Sequence, residues 1–164
     1  MVGMSFHVLR RDREIIESDV LKKILRSSKF VTVALCMGNE PYLVSLSHGY
    51  DEERNCVYFH CANEGKKLVF ARANNRVWGQ AVQEYRVVDE CDYAYASVHF
   101  SGRLFVVDDP VEKWHGMEVL VRQVSPNPEV KLAKIKPERL GKTTICRIDV
   151  EFMSGKRHLN PKVG

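Results

Sequence analysis

The positions of apolar residues predict a helix followed by a strand in the first part of the chain. Between residues 20 and 25 the apolar side chains fall on one helical face, and Ser18 precedes them as a potential N-cap. Residues 30–37 are then a nearly continuous apolar and β-branched run, which is typical of a buried strand. We therefore expect a helix that ends near Ser28 and a first strand directly after it.

Short polar turns separate the next apolar segments, which favours antiparallel pairing. Residues 38–41 (Gly-Asn-Glu-Pro) turn the chain into a second strand at 42–50. Residues 51–55 turn it again into a third strand at 56–61. Three successive strands are therefore predicted to form a meander. The acidic residues of the second turn, which begins at Asp51, are expected to face solvent.

The second half of the chain continues the same pattern with three more strands, at 77–88, 94–107 and 143–152. Gly102 interrupts the middle one, where a glycine often marks a bulge that lets a sheet curl. Asp109-Pro110 is a helix-start signal. About six strands and three or four helices, joined without regular crossover helices, predict an antiparallel, barrel-like α+β fold. No G-x-G-x-x-G sequence supports a dinucleotide-binding fold.

Length and segment composition predict a single cytoplasmic domain. The 164 residues are expected to form one domain, with a short polar N-terminal segment at 1–13 and a C-terminal tail at 155–164. No stretch approaches the roughly 18–20 apolar residues that a membrane helix requires, and the first residues lack the apolar run of a signal peptide. We therefore expect neither a membrane partner nor export.

The charge and the cysteine content indicate which kinds of ligand and cross-link the chain could have. Twenty-five Lys and Arg against 21 Asp and Glu give a net charge of +4, which suits a small anionic ligand better than nucleic acid. The number of cysteines is odd and no C-x-x-C pair occurs, which argues against a disulfide framework and against a zinc site. Reduced thiols are therefore expected at Cys36, Cys56, Cys61, Cys91 and Cys146.

The segment that follows the third strand carries the most informative chemistry. Asn63 is a natural N-cap for a helix whose first turn would contain Lys66 and Lys67. Cations there are unfavourable by about 0.3–1 kcal/mol, because the helix N-terminus is already positively polarised. A bound phosphate would offset this by accepting hydrogen bonds from the backbone and from both ammonium groups. Alternatively, the lysines point into solvent and Glu64 compensates the terminus.

Several motifs, in their order and spacing, resemble the pyridoxamine 5'-phosphate oxidase-like split-barrel family. The match is nearest to the flavin-binding branch that contains the nitroimidazole-resistance proteins, and it covers roughly residues 10–157. Its most specific part is Tyr-Phe-His-Cys-Ala with the following Gly-Lys-Lys. The motifs are Pro-Tyr-Leu-Val-Ser-Leu-Ser at 41–47, the block at 58–67, Tyr-Ala-Ser-Val-His-Phe-Ser-Gly at 95–102 and the closing segment 148–157.

This resemblance implies a six-stranded antiparallel split β-barrel with flanking helices, and a homodimer that holds FMN at the subunit interface. Lys66 and Lys67 would bind the FMN phosphate, and Ser97 would approach the flavin. The backbone of the second predicted strand would border the isoalloxazine ring, whose polar atoms need partners in plane. The residues assigned to the cofactor site in this way are Ser45, Leu46, Ser47, His60, Cys61, Ala62, Lys66, Lys67 and Ser97.

The resemblance also implies an FMN-dependent oxidoreductase that acts on small electron-poor aromatics such as nitroimidazoles. Vitamin B6 oxidation is doubtful, because true pyridoxamine phosphate oxidases carry Arg-x-Val-Leu-Leu-Lys where this chain reads Leu43 to His48 without Arg or Lys. His60 is the candidate proton donor, with a structural histidine as the alternative. The second candidate function is a non-catalytic flavin or haem carrier or sensor, with His60, His48 or His99 as candidate haem ligands.

Overall fold

A computed structural model describes residues 8–89 and 92–159 of the chain. The strands found in these residues are β1 (Glu14–Ile15), β2 (Val31–Met37), β3 (Glu40–Leu46), β4 (Gly49–Asp51), β5 (Cys56–Cys61), β6 (Arg76–Asp89), β7 (Asp92–Val107) and β8 (Thr144–His158). The helices are α1 (Ser18–Ser27), α2 (Lys66–Ala73), α3 (Pro110–Val124), α4 (Pro128–Leu132) and α5 (Pro137–Gly141). The predicted α+β class is confirmed.

All the described strands join one antiparallel sheet in the order β3-β2-β6-β7-β8-β5-β4, with β1 paired to β8. The three long strands β6, β7 and β8 form its centre, and β3 and β4 form its two edges. Side chains from both edge regions, including Leu46 of β3 and Phe59 of β5, belong to the same buried core cluster. The sheet therefore curls around one core and leaves a split between β3 and β5.

Helix α2 lies in that split. Its Phe70 ring is 5.3 Å from the ring of Tyr42 on β3, measured between centroids. Leu68, Phe70 and Ala71 of the same helix are buried in the common core. The helix thus fills the gap between the two edge regions. Its N-terminus lies at the solvent-exposed end of the split.

The first helix forms as its apolar spacing predicts, with Leu21, Ile24 and Leu25 buried in the core. Its N-cap is different from the prediction, because Glu17 occupies the cap position and Ser18 is the first helical residue. The helix-start signal at Asp109 is confirmed, since the Asp109 carboxylate accepts the backbone N–H of Glu112 at 2.8 Å. No helix of the described residues is long and apolar enough to cross a membrane.

The predicted meander is wrong, and the predicted six strands become eight in the described residues. The hairpin of β2 and β3 forms, but the segment expected as one strand at 42–50 ends at Leu46 and resumes as β4. Between them His48 is buried, with Nε2 2.8 Å from the carbonyl oxygen of Leu25 in α1. This anchoring carries the chain from one edge of the sheet to the other, so that β4 pairs with β5 and not with β3.

The end of the chain also differs from the sequence prediction. Strand β8 continues through residues 155–158, which were expected to begin a tail, because these residues pair with β7. The bulge expected near Gly102 is confirmed by a register shift between Ser101 and Gly102 against β8. A Cβ atom at Gly102 would lie 2.0 Å from the carbonyl oxygen of Asp149, so a side chain has no room at this kink.

The described cysteines are free, as their spacing predicts. Cys56 and Cys146 are buried, whereas Cys36 and Cys61 are partly exposed. Cys91 lies outside the described residues.

Candidate functional site

The N-terminus of α2 carries two lysines and no compensating acid in its first turn. The helix begins at Lys66 with Gly65 at the cap position, and no side chain accepts a hydrogen bond from its first N–H groups. Gly65 has φ 137° and ψ 169°, a conformation that favours glycine. The first-turn position of Lys66 and Lys67 is therefore confirmed, and this terminus offers bare backbone donors together with two cations.

Asn63, the predicted N-cap, has another role. Its side-chain oxygen accepts a hydrogen bond of 2.8 Å from Thr144 Oγ1 at the start of β8. This bond ties the loop after β5 to the neighbouring strand and delays the helix by two residues. The prediction of Asn63 as the cap is wrong, because the tertiary partner takes the oxygen that a cap would need.

The two lysines diverge toward the two sides of the split. Lys66 Nζ lies 3.8 Å from Glu40 Oε1 and 5.0 Å from the ring centroid of Tyr42, both on β3. Lys67 Nζ lies 5.3 Å from the ring centroid of Phe59 on β5. The acid that contacts Lys66 is thus Glu40 of β3, whereas the alternative interpretation of the sequence named Glu64. Because the ammonium group and Glu40 are both largely exposed, this pair contributes at most about 1 kcal/mol.

Three other predicted site residues lie near the N-terminus of α2 with Lys66 and Lys67, which we call the lysine corner. His60 and Cys61 end β5, and Ala62 begins the loop that leads into α2. Successive side chains of a strand alternate, so exposed His60 and partly buried Cys61 point to opposite faces of the sheet. Cys61 therefore shares the inner face with Phe59, whose ring Lys67 contacts, whereas His60 points to the outer face and Ala62 lies in the connecting loop.

The predicted residues of β3 lie farther along that strand. Ser45 is exposed on the outer face, with Oγ 3.1 Å from Thr32 Oγ1. Leu46 faces inward and is buried, and Ser47 follows the strand. Since Lys66 contacts Tyr42, and a strand rises about 3.3 Å per residue, Ser45 stands roughly 10 Å farther along β3.

Ser97 is not brought to the lysines within one chain. It lies on β7, and β2 and β6 stand between β7 and β3 in the sheet. At about 4.8 Å per strand, this separates Ser97 from β3 by roughly 14 Å. Its hydroxyl is buried with no hydrogen-bond partner among the described residues. A buried hydroxyl without a partner is uncommon and indicates an unfilled polar contact.

The outer face of the sheet carries two parallel rows of side chains that follow from the strand register. We call one the apolar row; it contains Leu43, Ala34, Trp78, Ser101 and Phe152. We call the other the polar row; it contains Ser45, Thr32, Gln80, His99 and Ser154. Trp78 is 45% exposed and Leu43 67% exposed, and the Trp78 ring meets Phe152 edge-on at 6.2 Å. Two large apolar side chains therefore stand exposed in this row.

Within the polar row, His99 is held as a neutral base. The Gln80 side-chain amide lies 3.1 Å from His99 Nε2, across the pair of strands. Burial and the ammonium group of Lys156 lower the pKa of His99. A neutral imidazole accepts a hydrogen bond from the amide, which is consistent with this contact.

Among the candidate histidines, His48 is buried and His99 is partly buried, whereas His60 is exposed. His48 is buried, and its Nε2 is occupied by the Leu25 carbonyl and by Gln123, which lies 3.0 Å away. Burial lowers the pKa of His48, so it stays neutral inside the fold. The prediction of His48 as a candidate haem ligand is wrong, because its position is internal and its ring is used for packing α1 against α3.

Sequence reasoning missed a buried carboxylate that a histidine contacts on the other side of the molecule. Asp51, which was expected in solvent, is buried and accepts hydrogen bonds from His115 Nε2 at 2.6 Å and from the Arg54 N–H at 3.1 Å. Burial alone would raise the pKa of Asp51, but these two donors outweigh it and leave the pKa below its ordinary value. His115 lies 64 residues away in sequence, so no local signal announces the pair.

Comparisons with known proteins agree with this architecture. A model of the pyridoxamine 5'-phosphate oxidase family matches residues 17–157. No curated protein matches the sequence. Among solved structures, a candidate 5-nitroimidazole antibiotic resistance protein from Bacteroides thetaiotaomicron is 20% identical over 88% of this chain and 86% of its own, with a TM-score of 0.74.

Two further structures share the fold. A FAD-binding protein from Mesorhizobium loti is 21% identical over 89% of this chain and 97% of its own, with a TM-score of 0.67. A FAD and haem binding protein from Mycobacterium smegmatis is 16% identical over 90% of this chain and 74% of its own, with a TM-score of 0.75. Identities this low support a common fold and leave ligand and activity to be argued from the residues.

Proposed function

The chain belongs to the pyridoxamine 5'-phosphate oxidase family, and on that premise we propose that it binds FMN and acts as an oxidoreductase. The observation that carries the proposal is the uncapped N-terminus of α2, where Lys66 and Lys67 stand without an acid in the same turn. Both lysines crowd a positively polarised terminus at a cost that a phosphate dianion would reverse. The phosphate would accept from the first backbone N–H groups and from both ammonium groups.

The rest of the flavin would lie along the strand ends beside this corner. His60, Cys61 and Ala62 are adjacent to the lysines and would border the ribityl chain and the ring edge. The backbone of Ser45, Leu46 and Ser47, at the end of β3, would supply in-plane partners for the isoalloxazine ring. The bound flavin would supply two-electron transfer, and this chain would bind and orient it.

A homodimer with FMN at the interface is the assembly that we propose. Leu43 and Trp78 of the apolar row are exposed, as expected of a surface that another protein covers. Ser97 is too far from the lysines of its own chain to share their ligand, but its unpartnered hydroxyl lies on the same outer face. A second copy covering that face would place its own lysine corner on the Ser97 side of the sheet, where the buried hydroxyl could reach the ligand only after the side chains over it move.

For the substrate, we propose small electron-poor aromatics such as nitroimidazoles. The fold likeness to the Bacteroides thetaiotaomicron protein supports this class, and so does the exposed aromatic surface around Trp78. His60 is exposed at the end of β5 and would donate the proton to the reduced product. Pyridoxamine phosphate is a poorer candidate, because β3 carries neither Arg nor Lys between Leu43 and Leu46.

Comparing FMN with riboflavin tests the phosphate assignment. We expect Lys66→Ala with Lys67→Ala to weaken FMN binding at least tenfold, because each charge-assisted contact contributes about 1.5–3 kcal/mol. Riboflavin, which has no phosphate, should lose little affinity. Fluorescence titration of the purified protein with each ligand measures both constants.

The matched control is Lys22→Ala with Lys23→Ala, which removes another adjacent pair of lysines from the middle of α1. This variant should bind FMN as the unchanged protein does. Equal losses of FMN and riboflavin in the Lys66 and Lys67 double variant would contradict the phosphate site. If the protein binds FAD more tightly than FMN, the proposed cofactor becomes FAD, and the assignment of a flavin stands.

A non-catalytic flavin or haem carrier or sensor is the second candidate. The fold likeness to the FAD and haem binding protein of Mycobacterium smegmatis favours it. His60 and His99 remain as candidate haem ligands on accessible parts of the sheet. A Soret band in the purified protein would support haem, whereas reoxidation of the reduced flavoprotein by a nitroimidazole under anaerobic conditions would support the enzyme.

A further inference from the structure

Two cysteines and a lysine form a cluster where β5 leaves the sheet. Phe59 of β5 pairs with Cys146 of β8, and Cys61 pairs with Thr144. Cys61 is therefore the diagonal neighbour of Cys146 on the inner face of the sheet, and the two thiols hydrogen-bond to each other. Lys67 Nζ stands over the ring of Phe59, at 5.3 Å from its centroid, and completes the cluster.

The two thiols differ in access to solvent. Cys146 is fully buried, whereas Cys61 is partly exposed as the last residue of β5. Cys36 offers an internal comparison, because it is also partly exposed but donates its S–H to the carbonyl oxygen of Gly38 at 3.1 Å. A reagent in solution would therefore reach Cys61 and Cys36, and of these two only Cys61 has a second thiol beside it among the cysteines that the structure describes.

The contacts within the cluster also shift the pKa values of the two thiols in opposite directions. The Cys146 S–H donates to Cys61 and lowers the pKa of Cys61, the ammonium group of Lys67 lowers it further, and burial opposes both. The same contact and its burial raise the pKa of Cys146. Cys61 is thus the thiol of the pair that ionises first, and Cys146 keeps its proton longer.

We propose that Cys61 and Cys146 are a redox-active thiol pair that hydrogen peroxide converts to a disulfide. The Cys61 thiolate attacks one peroxide oxygen, the O–O bond breaks, and the leaving hydroxide takes up a proton to form water. The sulfur of Cys146, having lost its proton, then attacks the Cys61 sulfenic acid, and the hydroxyl leaves as a second water molecule. The peroxide is reduced by two electrons and the two thiols are oxidised by two.

Closing this disulfide requires a small movement at the end of β5. Diagonal cross-strand positions are usually about 7–8 Å apart at Cα, slightly beyond the usual disulfide range of about 4.4–6.8 Å. Cys61 ends its strand and is followed by the loop from Ala62 to Gly65, so it can shift toward β8 without breaking the sheet. The disulfide would thereby draw the start of α2 with it.

Alkylation rates test the reactive thiol in flavin-free protein. We expect iodoacetamide to modify Cys61 with a pH midpoint below the ordinary thiol pKa of about 8.5, as read by peptide mass spectrometry. Lys67→Gln should slow the modification of Cys61 at pH 7 roughly threefold or more by removing the nearby cation. Lys66→Gln is the matched control and should change little, because Lys66 points to β3. A pH midpoint for Cys61 at or above the ordinary thiol pKa would overturn the proposal.

Mapping the oxidised protein tests the partner. After treatment with stoichiometric peroxide, non-reducing peptide maps should contain a Cys61–Cys146 crosslink, and Cys146→Ser should instead leave a sulfenic acid on Cys61 that dimedone traps. A persistent sulfenic acid on Cys61 in the unchanged protein would refute the role of Cys146. Since no flavin is present in these assays, their outcome is independent of FMN binding.

Discussion

At the residue scale, the candidate site depends on conformations and partners that a few side chains impose. Gly65 enters α2 with a positive φ and brings no capping side chain, so the first N–H groups of the helix stay available. The sequence predicted the lysines in that first turn correctly, although α2 begins two residues later than a cap at Asn63 would place it. It misplaced the cap, because the bond from Thr144 to Asn63 joins residues 81 positions apart.

The buried carboxylate of Asp51 gives a prediction at the same scale. Its pKa lies below the ordinary value, so its contribution to stability is present above the unfolded pKa of about 4 and is lost as the pH falls through the folded pKa. We expect Asp51→Asn to lower the free energy of unfolding by about 1–3 kcal/mol at pH 7, because His115 loses an ionised partner. The difference in unfolding free energy between this variant and the unchanged protein should become smaller as the pH falls below about 4.

Urea unfolding of Asp51→Asn between pH 3 and pH 7 measures this difference. Glu53→Gln is the control, because it neutralises an exposed carboxylate two residues farther along the same turn. That variant should stay within about 0.5 kcal/mol of the unchanged protein. A deficit for Asp51→Asn that is the same at every pH would show that ionisation of Asp51 does not carry the contribution.

At the element scale, helix docking decides which strands lie near the lysines. Helix α2 fills the split between β3 and β5, and α3 covers β4 and β5. The apolar patterns predicted most of these elements, because burial of one face leaves a period in the sequence. They did not predict that β3 and β4 lie at opposite edges of the sheet, because strand pairing depends on contacts remote in sequence.

The contact of α3 with β4 can be tested at Gly49. A Cβ atom there would lie 2.6 Å from the backbone nitrogen of Leu120, and a helix backbone does not yield as a flexible side chain does. We expect Gly49→Ala to destabilise the protein by about 1–3 kcal/mol in urea unfolding, because α3 must move away from the sheet. Gly141→Ala is the control, since no atom lies within 4 Å of its Cβ position. Equal stabilities of the two variants would contradict the close approach.

At the scale of the whole molecule, the outer face of the sheet is the feature that the isolated chain leaves unexplained. The register aligns apolar side chains of four strands, with Ser101 of β7 among them, in one row, although they are scattered in sequence between residues 34 and 152. Each is unremarkable by itself, since single exposed apolar residues are common. Their alignment supports the proposed covering by a second copy.

Replacing Trp78 tests that assembly. We expect Trp78→Glu to raise the dimer dissociation constant at least about tenfold, because it buries a charge at the centre of the apolar row. FMN affinity should fall with it, since the proposed site needs both copies. Analytical ultracentrifugation at several protein concentrations, with and without FMN, gives both quantities.

Val130→Glu is the matched control for this experiment, because Val130 is similarly exposed but lies on α4, away from the apolar row. It should sediment as the unchanged protein does. A monomeric unchanged protein that binds FMN tightly would remove the dimer from the proposal and leave the lysine corner intact.

The sequence by itself determined the α+β class, most of the element positions and the placement of two lysines at a helix start. These features are local, because they depend on the period of apolar residues and on turn chemistry within a few positions. Only the tertiary structure decided that Asp51 is buried against His115, that Ser97 stands apart from the lysines and that Cys61 meets Cys146. Those relations depend on which strands become neighbours, and the free energy that selects the neighbours is distributed over the whole core.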